Sequence, residues 1–175
     1  MPRREGIDGN CLEQSGKVRY TLKMCSMKHA YYFFRRTYVT IEEARAWLDK
    51  SPFHEKCGIQ VDSVGDGTCV MSARIGEEDR NLWGIAHGGF IATICDAASG
   101  LAVRTTHDEY CVTTSSTMHY LEPARGSRIR AEAKMLKDGH AIAVVEVSVY
   151  GEEKLLAEGS FEFFCASGKQ GQDER

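Results

Sequence analysis

The chain has 175 residues, 42% hydrophobic and 27% charged, with a net charge of −3. That composition suits one globular domain with a sizeable core plus an extension, and excludes a low-complexity or collagen-like chain. No apolar run reaches the ~18–20 uncharged residues needed to span a bilayer, and the opening Met-Pro-Arg-Arg-Glu-Gly has no apolar core of a secretory signal.

The charge is unevenly placed: residues 1–40 carry net +5 and residues 41–175 net −8. No nucleic-acid recognition motif accompanies the basic arm, so nucleic-acid binding is not expected. Within the arm, Ala30-Tyr-Tyr-Phe-Phe34 followed by Arg35-Arg36 fits an edge strand, a docked arm or an interface patch, and the sequence does not choose. Residues 1–40 are therefore treated as an N-terminal extension, 41–166 as the folded domain and 167–175 as a polar tail.

Thr40-Ile-Glu-Glu43 has the form of a capping box, with Ala44, Trp47 and Leu48 following at helical spacing and Ser51-Pro52 ending that helix. Cys57 to Val64 and Thr68 to Ile75 read as a hairpin around Gly65-Asp-Gly67. A polar loop carrying Asn81 leads to an apolar segment expected to be helical over about 87–104. Tyr110 to Leu121, Arg128 to Leu136, His140 to Tyr150 and Lys154 to Cys165 read as four further strands in an antiparallel meander. The outcome is an α+β layer with a long central helix against the sheet.

Seven cysteines are scattered, none in a C-x-x-C pair, and no Cys/His cluster has zinc spacing. Reduced, mostly buried thiols in a cytoplasmic protein are expected, with no metal and no redox cofactor.

The central segment carries the chemistry. From Phe90 to Val103 the only charge is Asp96. A helix that is apolar all round is expected to be buried, and a carboxylate within it is costly unless paired or hydrogen-bonded. Gly88 and Gly89 open the helix, where unpartnered amides and the dipole favour a developing negative charge. His87 and Asp96 lie about 180° apart at ~100° per residue, so they cannot meet one substrate from the same face. Either His87 sits in the loop before the helix or a second chain completes Asp96.

The pattern Asn81-(five residues)-His87-Gly88-Gly89-(six residues)-Asp96 resembles the signature of hotdog-fold acyl-CoA thioesterases, in particular the PaaI-like group. Ser51 to Gly58, Tyr120-Leu-Glu-Pro123-Ala124 and Leu136-Lys-Asp-Gly139 resemble its flanks. The resemblance implies a hotdog fold, an antiparallel sheet wrapped around the central helix, and hydrolysis of an acyl-CoA thioester to free acid and CoA. It implies Asp96 as general base or nucleophile and the Gly88 N–H as the group polarising the carbonyl. Asn81 would bond near that carbonyl or hold the loop, and His87 would orient the loop or sit near the sulfur. Thr113, rather than Thr114, falls where related enzymes place a hydroxyl that positions the attacking water. Gly89, Phe90, Trp83, Arg125, Arg128 and His140 are candidate substrate contacts. Coenzyme A enters only as part of the substrate, and a homodimer or homotetramer with shared sites is implied. The rival is a non-catalytic acyl-CoA sensor on the same fold.

Overall fold

A computed structural model describes residues 39–107, 110–152 and 154–166. Apart from Val39 and Thr40, the extension of residues 1–40 lies outside the described residues, as does the tail of 167–175. The elements run α1 (Ile41–Leu48), α2 (Pro52–Lys56), β1 (Ile59–Gly65), β2 (Thr68–Arg74), α3 (Gly88–Arg104), β3 (Tyr110–Tyr120), β4 (Arg128–Asp138), β5 (Ile142–Gly151) and β6 (Lys154–Ala166).

The capping box forms: Thr40 Oγ1 accepts from Glu43 N–H at 3.2 Å, and Glu43 Oε2 accepts from Thr40 N–H at 3.0 Å. Pro52 does more than end α1. Its fixed φ and missing N–H suit the first position of a helix, and it opens the short α2, which the sequence reading missed.

Six antiparallel strands form one sheet in the order β1-β2-β4-β5-β6-β3. This corrects the expected meander. Of the last four strands, only β4, β5 and β6 are joined as successive hairpins; β3 pairs with β6 at the far edge, and β4 slots in beside β2. The length of α3 explains the jump. Seventeen residues rise about 25 Å, enough to carry the chain past four strand spacings, roughly 19 Å. The next strand therefore starts on the opposite edge.

Helix α3 lies against the sheet and buries ten residues, including Ile94, Leu101, Ala102 and Val103. They pack on the inward rows of β2, β4, β5 and β6, among them Met71, Ala131, Val145, Val147 and Phe161. This is the hotdog arrangement. The β1–β2 turn is pinned to the C-terminal end of α3. Gly67 has φ +67°, its N–H donates to Thr105 Oγ1 at 2.8 Å, and an added Cβ would come within 3.2 Å of Met135. Leu101 is fully buried at the centre of the layer. Leu101→Ala should cost about 2–5 kcal/mol, read from denaturant unfolding; a loss below about half a kcal/mol, the scale of a surface change, would mean α3 is not the core element described.

Two expectations about α3 and the cysteines are overturned. Asp96 is exposed, not buried. Gly89, Thr93, Asp96 and Gly100 recur at three- and four-residue spacing and form a face the sheet leaves open. The sequence looks apolar all round because three of those four residues carry no charge. Cys111 and Cys165, 54 residues apart, stand opposite each other on β3 and β6 and form a disulfide. Cys57, Cys69 and Cys95 are free. Among the described residues, no helix is long and apolar enough to cross a membrane.

Candidate active site

The N-terminal end of α3 is built by a self-bonded loop. Asn81 Oδ1 accepts from Trp83 N–H at 2.9 Å and from Ile85 N–H at 3.4 Å, and Asn81 N–H donates to Ile85 O at 2.8 Å. Gly84, at φ +70°, makes the reversal between them. Arg80 fastens the loop to its surroundings, donating to Gly84 O at 2.9 Å and Gly126 O at 3.2 Å. Within this chain Asn81 is thus bonded to its own loop.

His87 is the N-cap of α3. Its Nδ1 accepts from Gly89 N–H at 2.9 Å, which leaves Nε2 as the protonated nitrogen of the neutral ring. That bond occupies the Gly89 amide. The Gly88 amide, at the first helical position, has no intrahelical acceptor. Tyr120 closes over this point: its hydroxyl donates to Gly88 O at 3.0 Å, and a Cβ on residue 88 would lie 3.3 Å from its ring. Burial pushes the Tyr120 phenol above its ordinary pKa, with the Cys95 sulfur adding to the shift, so it stays a donor. A cavity of about 320 Å³ opens here, lined by Asn81, Ala86, Gly88, Ile91, Tyr120 and Pro123 among others.

Asp96 sits on the open face of α3, and its Oδ1 accepts from Thr113 Oγ1 at 2.7 Å. The strand makes this choice through a bulge between Thr113 and Ser115. Thr114 is the extra residue and turns away, donating to Glu162 O at 3.2 Å. Cys95, next to Asp96, is no nucleophile: burial, reinforced by the Asp96 charge, pushes its thiol up to about 12. Cys69 is likewise pushed up to about 12 by burial.

His54 is a neighbour that sequence reasoning missed. It lies on α2, and its buried Nδ1 has no hydrogen-bond partner among the described residues. Burial lowers its pKa, against the opposing pull of Asp96. The only signal for it is its place next to Pro52-Phe53, and nothing in that spacing points to Asp96.

The candidate substrate contacts divide. Phe90 is buried in the core, whereas Trp83 is 78% exposed on the loop. Arg125 and Arg128 line a second cavity, about 670 Å³, together with Arg130, Tyr150 and Lys154. Pro123 and Ala124 border both cavities. Arg128 is held by Ser72 Oγ at 2.6 Å. His140 is exposed in the β4–β5 turn.

Gly88 and Asp96 do not converge within one chain. Eight residues of helix separate them by about 12 Å along the axis, whereas a carbonyl must touch its oxyanion donor and its base or nucleophile at roughly 3 Å.

Residues 84–158 match the thioesterase superfamily. A solved structure of a mutant of the phenylacetic acid degradation protein PaaI from Thermus thermophilus is 30% identical, covering 66% of this chain and 100% of that one, with a TM-score of 0.63. The chain belongs to the thioesterase superfamily. Within that superfamily it is also 31% identical over 101 residues to acyl-coenzyme A thioesterase 13 of Pongo abelii, spanning 55% of this chain and 72% of the relative. Transcription factor FapR of Geobacillus kaustophilus is 35% identical over 116 residues, spanning 65% of this chain and 57% of that protein.

Proposed function

We propose that this thioesterase-superfamily chain is a cytoplasmic acyl-CoA thioesterase whose active site forms between two protomers. The thioester carbonyl enters the cavity at Gly88, whose N–H takes the charge that develops on the oxygen. The partner subunit's Asp96 acts on the carbonyl carbon, either drawing the proton from water or attacking directly. Thr113, bonded to that carboxylate, holds it and the water in line. The tetrahedral intermediate collapses, the C–S bond breaks, and CoA leaves as thiolate; on the base route the proton held by Asp96 passes to that thiolate or to solvent, and on the direct route water then hydrolyses the acyl–Asp96 anhydride to free acid and the restored carboxylate. The phosphates of CoA run past Pro123 and Ala124 toward Arg125 and Arg128.

The observation that carries this reading is the exposed Asp96 with Thr113 donating to it, on the open face of a helix whose first turn presents Gly88. Pairing fits the edge strand: all of β3 except Cys111 and Met118 is exposed, and its outward amides and carbonyls need partners.

Release of CoA from short-, medium- and long-chain and phenylacetyl-CoA, quantified by chromatography, tests the proposal. Turnover of at least one class is expected. Binding with no turnover of any of them would favour the sensor, a reading the likeness to a transcription factor keeps in play.

Gly88→Val places a branched side chain against the Tyr120 ring and into the carbonyl cavity. Turnover should fall roughly 10²-fold, the scale of a lost oxyanion donor, with far-UV circular dichroism unchanged. Near-wild-type turnover would remove Gly88 from the mechanism.

A further inference from the structure

At the end of α3 remote from Gly88, three side chains of metal-ligating type come together. His107 lies two residues beyond the helix cap Thr105, and Cys111 and Cys165 face each other across β3 and β6. One ligand atom from each of the three lies within 4.8 Å of the others. His107 is 6% exposed and Cys165 2%. Asp138, at the end of β4, brings Oδ1 to 2.7 Å from His107 Nε2.

The set is held by its surroundings. His107 N–H donates to Val103 O at 3.0 Å, and its carbonyl accepts from Arg104 at 2.6 Å. Thr105 Oγ1 takes the Gly67 amide, so the β1–β2 turn braces the same segment. Cys165 N–H donates to Ala141 O at 2.9 Å, on the β5 side. Cys165 and Cys111 are therefore a non-hydrogen-bonded pair, the geometry in which cross-strand side chains stand closest. Two sulfurs and one imidazole suit a borderline-soft divalent ion, and carbonyls at a helix C-terminus favour positive charge.

We propose that His107, Cys111 and Cys165 bind one divalent cation of the zinc class when the two cysteines are reduced, with water completing the shell and Asp138, against His107 Nε2, holding the imidazole in place. Tetrahedral zinc, with Zn–S near 2.3 Å and Zn–N near 2.0–2.1 Å, sets its ligand atoms roughly 3.3–3.8 Å apart, within the reach of this cluster. A disulfide sulfur carries no thiolate charge to give a metal, so the disulfide and the metal thiolate exclude each other. A phosphine reductant opens the disulfide, becoming the phosphine oxide as one water supplies its oxygen and the two thiol protons. The ion then displaces those two protons to solvent. Bound there, it fastens the start of β3, two residues from Thr113, to the end of α3. The sequence scan for zinc spacing missed this set because Cys165 is brought in only by strand register.

The test is an anaerobic cobalt titration of metal-free, phosphine-reduced full chain. One cobalt per chain is expected, with thiolate-to-cobalt charge transfer and the visible bands of a tetrahedral site, and stoichiometric zinc should displace it. Cys111→Ser and Cys165→Ser should abolish the charge-transfer band, and Asp138→Asn should weaken binding about 10- to 100-fold. Cys25→Ser and Cys57→Ser should leave the spectrum unchanged. Absence of the band in reduced wild type, its survival in Cys165→Ser, or its loss in Cys25→Ser or Cys57→Ser would overturn the proposal. If the cysteine variants fail to fold, the disulfide-closed wild type replaces them: it must show no thiolate band, and a band there would equally overturn the site.

Discussion

Asp96→Asn should lower acyl-CoA turnover by roughly 10²–10⁴, the contribution of a positioned acid–base group, while acyl-CoA still binds. The amide keeps the shape of the carboxylate and can still accept from Thr113, whose hydroxyl lies 2.7 Å from Oδ1. It can neither take a proton from water nor attack a carbonyl. Because Asp96 is exposed on the single chain, the substitution leaves no buried charge unpaired, so folding stability should stay within about half a kcal/mol. CoA release and calorimetric binding, measured side by side, separate the two effects. Substantial turnover in this variant would remove Asp96 from the chemistry.

Ser116→Pro should convert a dimer to monomers and take turnover down with it, by at least the same factor as Asp96→Asn. The choice of position follows from the ladder. Phe161, opposite Ser116, is aligned with Val145 of β5 in the same alternation that sends the Cys165 amide toward β5. Ser116 is therefore in a non-hydrogen-bonded pair, and its N–H points out from the sheet edge. Proline removes that outward donor and no bond within the sheet, and edge strands tolerate it. Light scattering should report the monomer and circular dichroism an intact fold. A folded monomer with full turnover would show that one chain holds a complete site.

Local signals make much of this molecule legible in its sequence. The Thr40–Glu43 capping box forms as the residues predict. The span of α3 follows from a glycine pair and a largely apolar run whose only charge is Asp96, and β4, β5 and β6 follow from alternation and turn residues. What fails is long-range. Nothing local says that α3 crosses the whole sheet, so a local reading puts β3 beside β4 when it belongs beside β6. The same register brings Cys111 to Cys165 and both to His107.

The site is legible in its residues more than in its geometry. Thr113 can be separated from Thr114 by counting, but the bulge that turns Thr114 away is a backbone feature. Uncharged neighbours make Asp96 look buried. Burial depends on which face the sheet covers, and small residues at 89, 93 and 100 leave that face open. His54 carries no motif, and only packing brings it under the influence of Asp96.

Subunit mixing tests the central claim, a site shared between protomers, most directly. Asp96→Asn and Gly88→Val chains are each prepared, mixed one to one, dissociated and reassociated. A heterodimer with two-fold related sites then holds one site with both groups intact and one with neither, so random pairing should restore about one quarter of wild-type turnover. No restoration, with heterodimers demonstrated by mass spectrometry, would contradict the account and place Gly88 and Asp96 of each site on the same chain.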